Sequence, residues 1–83
     1  METKQTPEDS TNTGFQYLIS NAYDWGKRFA KAVLDDDRIN IAFYDGKFTG
    51  AYYALTAIDR EDVANRLRAS YNKGRRAVPN YNG

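Results

Sequence analysis

The sequence predicts an all-α fold, in which an antiparallel helical hairpin is followed by a short C-terminal helix. Apolar residues recur every three or four positions between residues 14 and 34, which is the spacing of one helix face. The chain has 83 residues and no cysteine, so its core is small and has no disulfides. Because domains of this size often gain stability from self-association, we expect a homo-oligomer.

The first predicted helix spans residues 14–34. Its apolar side is formed by Phe15, Leu18, Ile19, Ala22, Trp25, Phe29, Val33 and Leu34. Asn12 or Thr13 can cap its start, because a short oxygen-bearing side chain accepts hydrogen bonds from first-turn amides. The three aspartates at 35–37 interrupt the apolar pattern and can begin the next helix.

Residues 39–54 allow two interpretations. A β-hairpin would use Asp45 and Gly46 as a two-residue turn, which would make the fold α+β. A helix would instead align an apolar stripe formed by Ile41, Tyr44, Phe48, Tyr52, Leu55 and Ile58.

Small residues favour the helical interpretation. They recur every four positions in both segments, at Ala22, Gly26 and Ala30 and at Gly46, Gly50 and Ala54. Two such faces would let antiparallel helices pack closely, and that contact would offset the roughly 1 kcal/mol that each helical glycine costs. We therefore predict a second helix over residues 38–59 that packs on the first through these residues.

A third helical segment follows, with Asp59 as its possible cap and Gly74 as its possible end. Its predicted inner side carries Val63, Ala64, Leu67 and Tyr71. The chain is thus predicted to consist of a disordered N-terminal segment 1–13, one helical domain 14–74 and a basic flexible tail 75–83.

The composition points away from catalysis. The absence of histidine and cysteine removes thiol nucleophiles, the usual zinc ligands and the commonest acid–base group near neutral pH. No glycine-rich phosphate loop is present. We predict a non-enzymatic binding protein without cofactor or metal. Since no apolar run approaches the ~20 residues of a membrane span, we also expect a cytoplasmic location and no membrane contact.

The segment LDDDRINIAFYDGKFTGAYYALTAIDR, residues 34–60, resembles the phage anti-CBASS proteins and Thoeris anti-defence sponges, which sequester cyclic oligonucleotides. In that family an arginine starts the second helix of a helical hairpin, and an Ala-Ile-x-Arg pattern ends it. The matching residues are Asp36 and Arg38 at the turn and Tyr53, Ala54, Ala57, Ile58 and Arg60 at the end. The chain departs from the family at Gly46, Thr49 and Gly50.

The resemblance implies a sponge that blocks host defence from the host cytoplasm, with a cyclic nucleotide as its ligand. Arg60 corresponds to a family arginine that contacts the ligand. Tyr23 and Lys27 are the candidates for the family's first-helix aromatic and lysine, and Arg66 adds a second arginine from the basic third of the chain. These four residues form the predicted ligand site.

Two other functions fit the same sequence. The aromatic residues could dock the chain on a host protein as a small phage-type inhibitor. Residues 60–83 carry six basic side chains against two acidic ones, and this basic third could bind nucleic acid.

Overall fold

The computed structural model describes residues 7–82, with side chains from residue 13 onward. These residues form three helices, and none of them forms a strand: α1 spans Pro7–Leu34, α2 spans Arg38–Ala57 and α3 spans Glu61–Arg76. The all-α prediction is confirmed. The alternative β-hairpin over 39–54 is wrong, because Asp45 and Gly46 lie inside α2.

The helix α1 starts earlier than predicted. It begins at Pro7, within the segment 1–13 that the sequence predicts to be disordered, while residues 1–6 lie outside the described part. Asn12 and Thr13 therefore lie inside the helix and do not cap it. Proline suits this first position, because its fixed φ matches a helix and its missing N–H would be unpaired there.

An aspartate in the left-handed region forms each of the two corners between helices. Asp36 (φ 54°) ends α1 and Asp59 (φ 61°) ends α2. After each aspartate the next amide reaches back to the last helical turn, from Asp37 to Ala32 O (2.8 Å) and from Arg60 to Leu55 O (2.8 Å).

The two residues after these aspartates start the next helices. The Asp37 carboxylate accepts from the Asn40 amide and caps α2, as the sequence predicts for the aspartate run. Arg60 starts α3 without a side-chain cap. The prediction that Asp59 caps the third helix is therefore wrong.

The helices run up, down and up, so that α1 and α3 are parallel. Phe15 of α1 lies against Arg60 at the start of α3, and Phe29 lies against Arg75 near its end. Between these levels the Ser70 hydroxyl donates a 2.7 Å hydrogen bond to the Ile19 carbonyl. The α1–α2 pair forms the predicted antiparallel hairpin, and α3 packs mainly on α1.

A reciprocal glycine contact joins α1 and α3. A methyl group on Gly26 would overlap the Tyr71 carbonyl, and one on Gly74 would overlap the Tyr23 carbonyl. Each glycine thus lets the backbone of the other helix approach to contact, in the way that small residues do at close helix crossings. Gly74 does not end α3, which continues to Arg76.

The small face of α1 therefore faces α3, and the predicted packing of Gly46 and Gly50 against it is wrong. Both glycines of α2 lie in open space, and a methyl group added to either would meet no atom within 4 Å. The large residues of α2 contact the core instead: Leu55 is buried, and Phe48 stacks on Tyr71 with ring centroids 4.2 Å apart. Large side chains, through the burial of Leu55 and the stacking of Phe48, hold α2 in place without close backbone contact.

The core is formed by residues from all three helices. Its buried members are Ala22, Leu55, Val63, Ala64, Leu67 and Tyr71. The predicted inner side of α3 faces this core, and so does the predicted apolar stripe of α1 from Phe15 to Phe29. The last two residues of that stripe, Val33 and Leu34, are exposed instead. The tail predicted from residue 75 begins inside α3, and its Tyr81 hydroxyl accepts hydrogen bonds from Arg75.

Gly26→Ala tests the close approach of α1 and α3. The added methyl group must push the helices apart, and we expect a loss of roughly 1–3 kcal/mol or more in the free energy of unfolding. Gly14→Ala is the matched control, because nothing lies within 4 Å of its side-chain position, and it should gain up to ~1 kcal/mol from helix propensity. Urea unfolding measures both. Equal stability of the two variants would contradict the contact.

Candidate functional site

Two of the four predicted ligand residues lie together. Tyr23 and Lys27 occupy successive turns of α1, and the Lys27 ammonium lies 5.7 Å from the centre of the Tyr23 ring. Lys27 also lines a shallow groove of about 250 Å³ with Asp24, Arg28, Lys31 and Val78. The pair therefore belongs to a basic surface along the C-terminal half of α1.

Arg60 lies at the opposite end of the molecule. Its guanidinium is 4.7 Å from the centre of the Phe15 ring and makes two 3.1 Å hydrogen bonds to the Asp62 carboxylate. These bonds lower the pKa of Asp62 below its ordinary value. Because Phe15 precedes Lys27 by twelve residues on one helix, the two cations are separated by roughly 18 Å along its axis.

Arg66 is exposed on α3 and lines neither the groove beside Lys27 nor the larger cavity at the end of α3. The four residues of the predicted ligand site therefore do not converge within one chain. Tyr23 and Lys27 form one part, and Arg60 and Arg66 lie on other surfaces. A ligand that touched all four would have to be shared between copies.

The structure instead places a more compact constellation at the end of α3. Arg75 lies among three aromatic rings, with its guanidinium carbon 5.3 Å from the centre of Phe29, 5.9 Å from Tyr71 and 5.4 Å from Tyr81. It also donates to the Tyr81 hydroxyl at 2.8 and 3.1 Å and to the Asn72 side-chain oxygen at 3.1 Å. Arg75 is thus fixed in place.

A cavity of about 580 Å³ opens beside this arginine. It is lined by Asn72, Arg75, Arg76, Tyr81 and Asn82. Its lining offers two guanidinium groups, two amides and a phenol, and none of the described residues that line it carries a carboxylate. Arginine donors match the geometry of phosphate oxygens, and the volume falls in the range of small-molecule sites. We call this the Arg75 cavity.

Cations from α1 border the same end of the molecule. Lys27, Arg28 and Lys31 lie along the groove that Val78 closes, and Val78 follows α3 by two residues. Asp24 forms a 2.8 Å ion pair with Arg28. This groove, which we call the α1 groove, and the Arg75 cavity are therefore two basic surfaces that both include residues of the segment 75–82.

Tyr71 lies against Arg75 without lining the cavity itself. It is 3% exposed, and its hydroxyl has no hydrogen-bond partner among the described residues. Burial raises the pKa of Tyr71 to about 12, and the negative charge of Asp45 adds to the shift. The ring stays neutral and serves as an apolar wall between Phe48 and Arg75.

A repeat marks this end of the molecule in the sequence. Tyr-x-x-Gly-[Lys/Arg]-Arg occurs at residues 23–28 and at residues 71–76. In both copies the cation four positions after the tyrosine lies over its ring, at 5.7 Å for Lys27 and 5.9 Å for Arg75. The sequence alone places Arg75 and Arg76 in a basic segment interleaved with Tyr71 and Tyr81, and this repeat is the signal that singles out Arg75 as packed, while Arg76 is exposed.

The described residues carry neither a membrane span nor a metal site. None of their helices is both long and apolar enough to cross a membrane. Among residues 7–82, no group of three or more histidine, cysteine, aspartate or glutamate residues could hold a metal ion. The aspartates at 35–37 instead build the corner between α1 and α2.

Comparison of the chain with protein-family models, with curated proteins and with solved structures finds no match. The resemblance to the anti-defence sponges therefore depends on the matching residues between 34 and 60 alone. We infer the function from the site itself.

Tyr71→Phe tests the role of the buried ring. Because it removes an unsatisfied buried hydroxyl, we expect the free energy of unfolding at pH 7 to stay equal or to rise by about 1 kcal/mol. In the unchanged protein below pH 10, Tyr71 is neutral in both the folded and the unfolded chain, so its ionisation does not reduce the free energy of unfolding. Between pH 10 and about 12 the free energy of unfolding falls by roughly 2–3 kcal/mol, because the unfolded chain ionises first.

The measurements are urea unfolding from pH 7 to 11.5 and tyrosine absorbance near 295 nm. Tyr71→Phe should remove the alkaline loss of stability together with the last tyrosine to ionise. Tyr17→Phe, which changes an exposed ring, is the matched control and should retain both. A large loss of stability at pH 7 would show that the Tyr71 hydroxyl has a partner.

Proposed function

We propose that this protein is a non-catalytic binder of phosphate-bearing nucleotides, with cyclic oligonucleotides as the first ligand class, and that it acts by sequestering them. The observation that carries the proposal is the Arg75 cavity. There, a guanidinium held by three aromatic rings lies next to exposed Arg76, and no carboxylate is present among the described residues of the lining.

The chemistry of the lining supports a ligand that combines anionic and planar groups. Arg76 can bind a phosphate through two parallel hydrogen bonds. The Tyr81 ring and the amides of Asn72 and Asn82 can bind a base by stacking and by hydrogen bonds. Since Arg75 is already ordered by Tyr81 and Asn72, little side-chain entropy is lost when a ligand binds beside it.

The α1 groove supports a ligand with more than one phosphate. Lys27 and Lys31 line this groove, whereas Arg76 lines the Arg75 cavity. A cyclic dinucleotide or trinucleotide carries two or three phosphates, so it offers a phosphate for each basic surface. This proposal retains Lys27 from the sequence-predicted site and adds Arg75 and Arg76 to it.

The binding test uses calorimetry with a panel of cyclic dinucleotides and trinucleotides, a linear dinucleotide and a single-stranded oligonucleotide. We expect stoichiometric binding of at least one cyclic compound, which chromatography should recover unchanged. Arg76→Ala should weaken binding roughly 10- to 100-fold, because a charge-assisted hydrogen bond to phosphate is lost. Affinity should fall as salt rises.

Arg66→Ala and Arg60→Ala are the comparison variants. If they retain full affinity, the ligand binds at the Arg75 cavity. If they lose affinity while Arg76→Ala does not, the sequence-predicted residues form the site and the cavity does not. Binding of the oligonucleotide alone would replace the proposal with nucleic-acid binding, and no binding to any compound would remove it.

A further inference from the structure

The helix α2 is apolar on two opposite sides, and the single chain buries only one of them. Its inner side carries Phe48 and Leu55 against the core. Its outer side exposes Ile39 by 83%, Phe43 by 52% and Tyr53 by 65%. Apart from the Lys47 ammonium, which lies 5.1 Å from the centre of the Phe43 ring, no packing partner within the described chain covers this outer side, and an apolar helix side is normally buried against one.

Small residues form the middle of this outer side. At 100° per residue, Ala42, Gly46, Gly50 and Ala54 lie on the same face as the three exposed apolar residues. All four are exposed, and nothing lies within 4 Å of a side-chain position at either glycine. We call the set Ile39, Ala42, Phe43, Gly46, Gly50, Tyr53, Ala54 and Ala57 the outer α2 face.

The outer α2 face is complementary to itself in the antiparallel direction. Measured from Phe48, its members occur in pairs at equal distances along the chain: Gly46 with Gly50, Phe43 with Tyr53, Ala42 with Ala54, and Ile39 with Ala57. A two-fold axis level with Phe48 would therefore bring glycine opposite glycine, ring opposite ring and alanine opposite alanine. Such isologous matching is what a symmetric dimer requires.

We propose that the outer α2 face is a homodimer interface, in which two α2 helices pack antiparallel with Gly46 of one copy against Gly50 of the other. The chain already shows this type of contact internally, where Gly26 and Gly74 bring α1 and α3 together. The proposed register also places Arg38 of one copy beside the Ile58–Asp59 corner of the second, so that a cation faces a carboxylate.

The available area indicates a weak dimer. The exposed parts of Phe43 and Tyr53 amount to roughly 180–290 Å² per copy. With Ile39 and the small residues, the face falls near or below the lower limit of stable interfaces, about 600 Å² per partner. We therefore expect a reversible dimer whose population changes with protein concentration.

Sedimentation equilibrium on the full chain between about 1 and 500 µM tests the interface. We expect the apparent mass to rise from that of one chain to that of two. Gly46→Ala together with Gly50→Ala should weaken the dimer at least tenfold, because the added methyl groups separate the helices. In the monomer the same changes favour the helix, so the variant should melt at a higher temperature at low concentration.

Gly14→Ala is the matched control, since it makes the same substitution in open space on α1. It should raise the melting temperature without changing the dimer dissociation constant. A monomer over the whole concentration range would overturn the proposal and assign the outer α2 face to a different partner. Unchanged dimerisation in the Gly46→Ala, Gly50→Ala variant would also overturn it.

Cysteine cross-linking tests the register, because the natural chain has no cysteine. A mixture of Ala42→Cys and Ala54→Cys should form a mixed disulfide, while each variant alone should not. Ala42 and Ala54 lie twelve residues apart, about 18 Å along the helix, so self-linking of either variant would indicate a parallel dimer and overturn the antiparallel register. Absence of the mixed disulfide would overturn it as well.

Discussion

The close approach of α1 and α3 at Gly26 and Gly74 is the contact on which the rest of the structure depends. It brings two parallel helices to backbone contact, and this places Tyr71 under Phe48 and Arg75 against Phe29. Side chains larger than hydrogen at either glycine would separate the helices and move these rings apart. The position of α2 and the shape of the Arg75 cavity both follow from this spacing.

The parallel direction of α1 and α3 also decides where charge accumulates. Both helices direct their carboxyl ends, which carry partial negative charge, toward the same end of the molecule. Lys31, Lys73, Arg75 and Arg76 lie in their last turns. All of these except Lys73 also line the basic surfaces, so the same side chains offset the two helix dipoles and shape the candidate site. These side chains carry more positive charge than the two helix ends carry partial negative charge, and the remainder could attract a phosphate group.

The sequence alone predicts where the three helices lie, but it does not predict which helix packs on which. The three- and four-residue spacing of apolar side chains predicted α1, the inner side of α2 and the inner side of α3, because such a pattern depends only on local geometry. Whether Gly26 packs against α2 or against α3 depends on contacts between residues distant in the sequence. Both helices contain glycines, so the small-residue pattern alone does not distinguish them. For Arg75, the sequence shows the nearby Tyr71 and Tyr81 but not the contact with Phe29, which comes from a distant segment of the chain.

The distance in sequence between the partners of the α1–α3 contact has a consequence for folding kinetics. Ile19 and Ser70, which share a hydrogen bond, are 51 residues apart, whereas the α1–α2 corner closes over a few residues. Loop closure costs more entropy over the longer span, but the α1–α2 corner alone gains little, because Phe48 stacks on Tyr71 of α3. The docking of α3 should therefore belong to the main folding step, and substitutions at the glycine crossing should slow folding as well as speed unfolding.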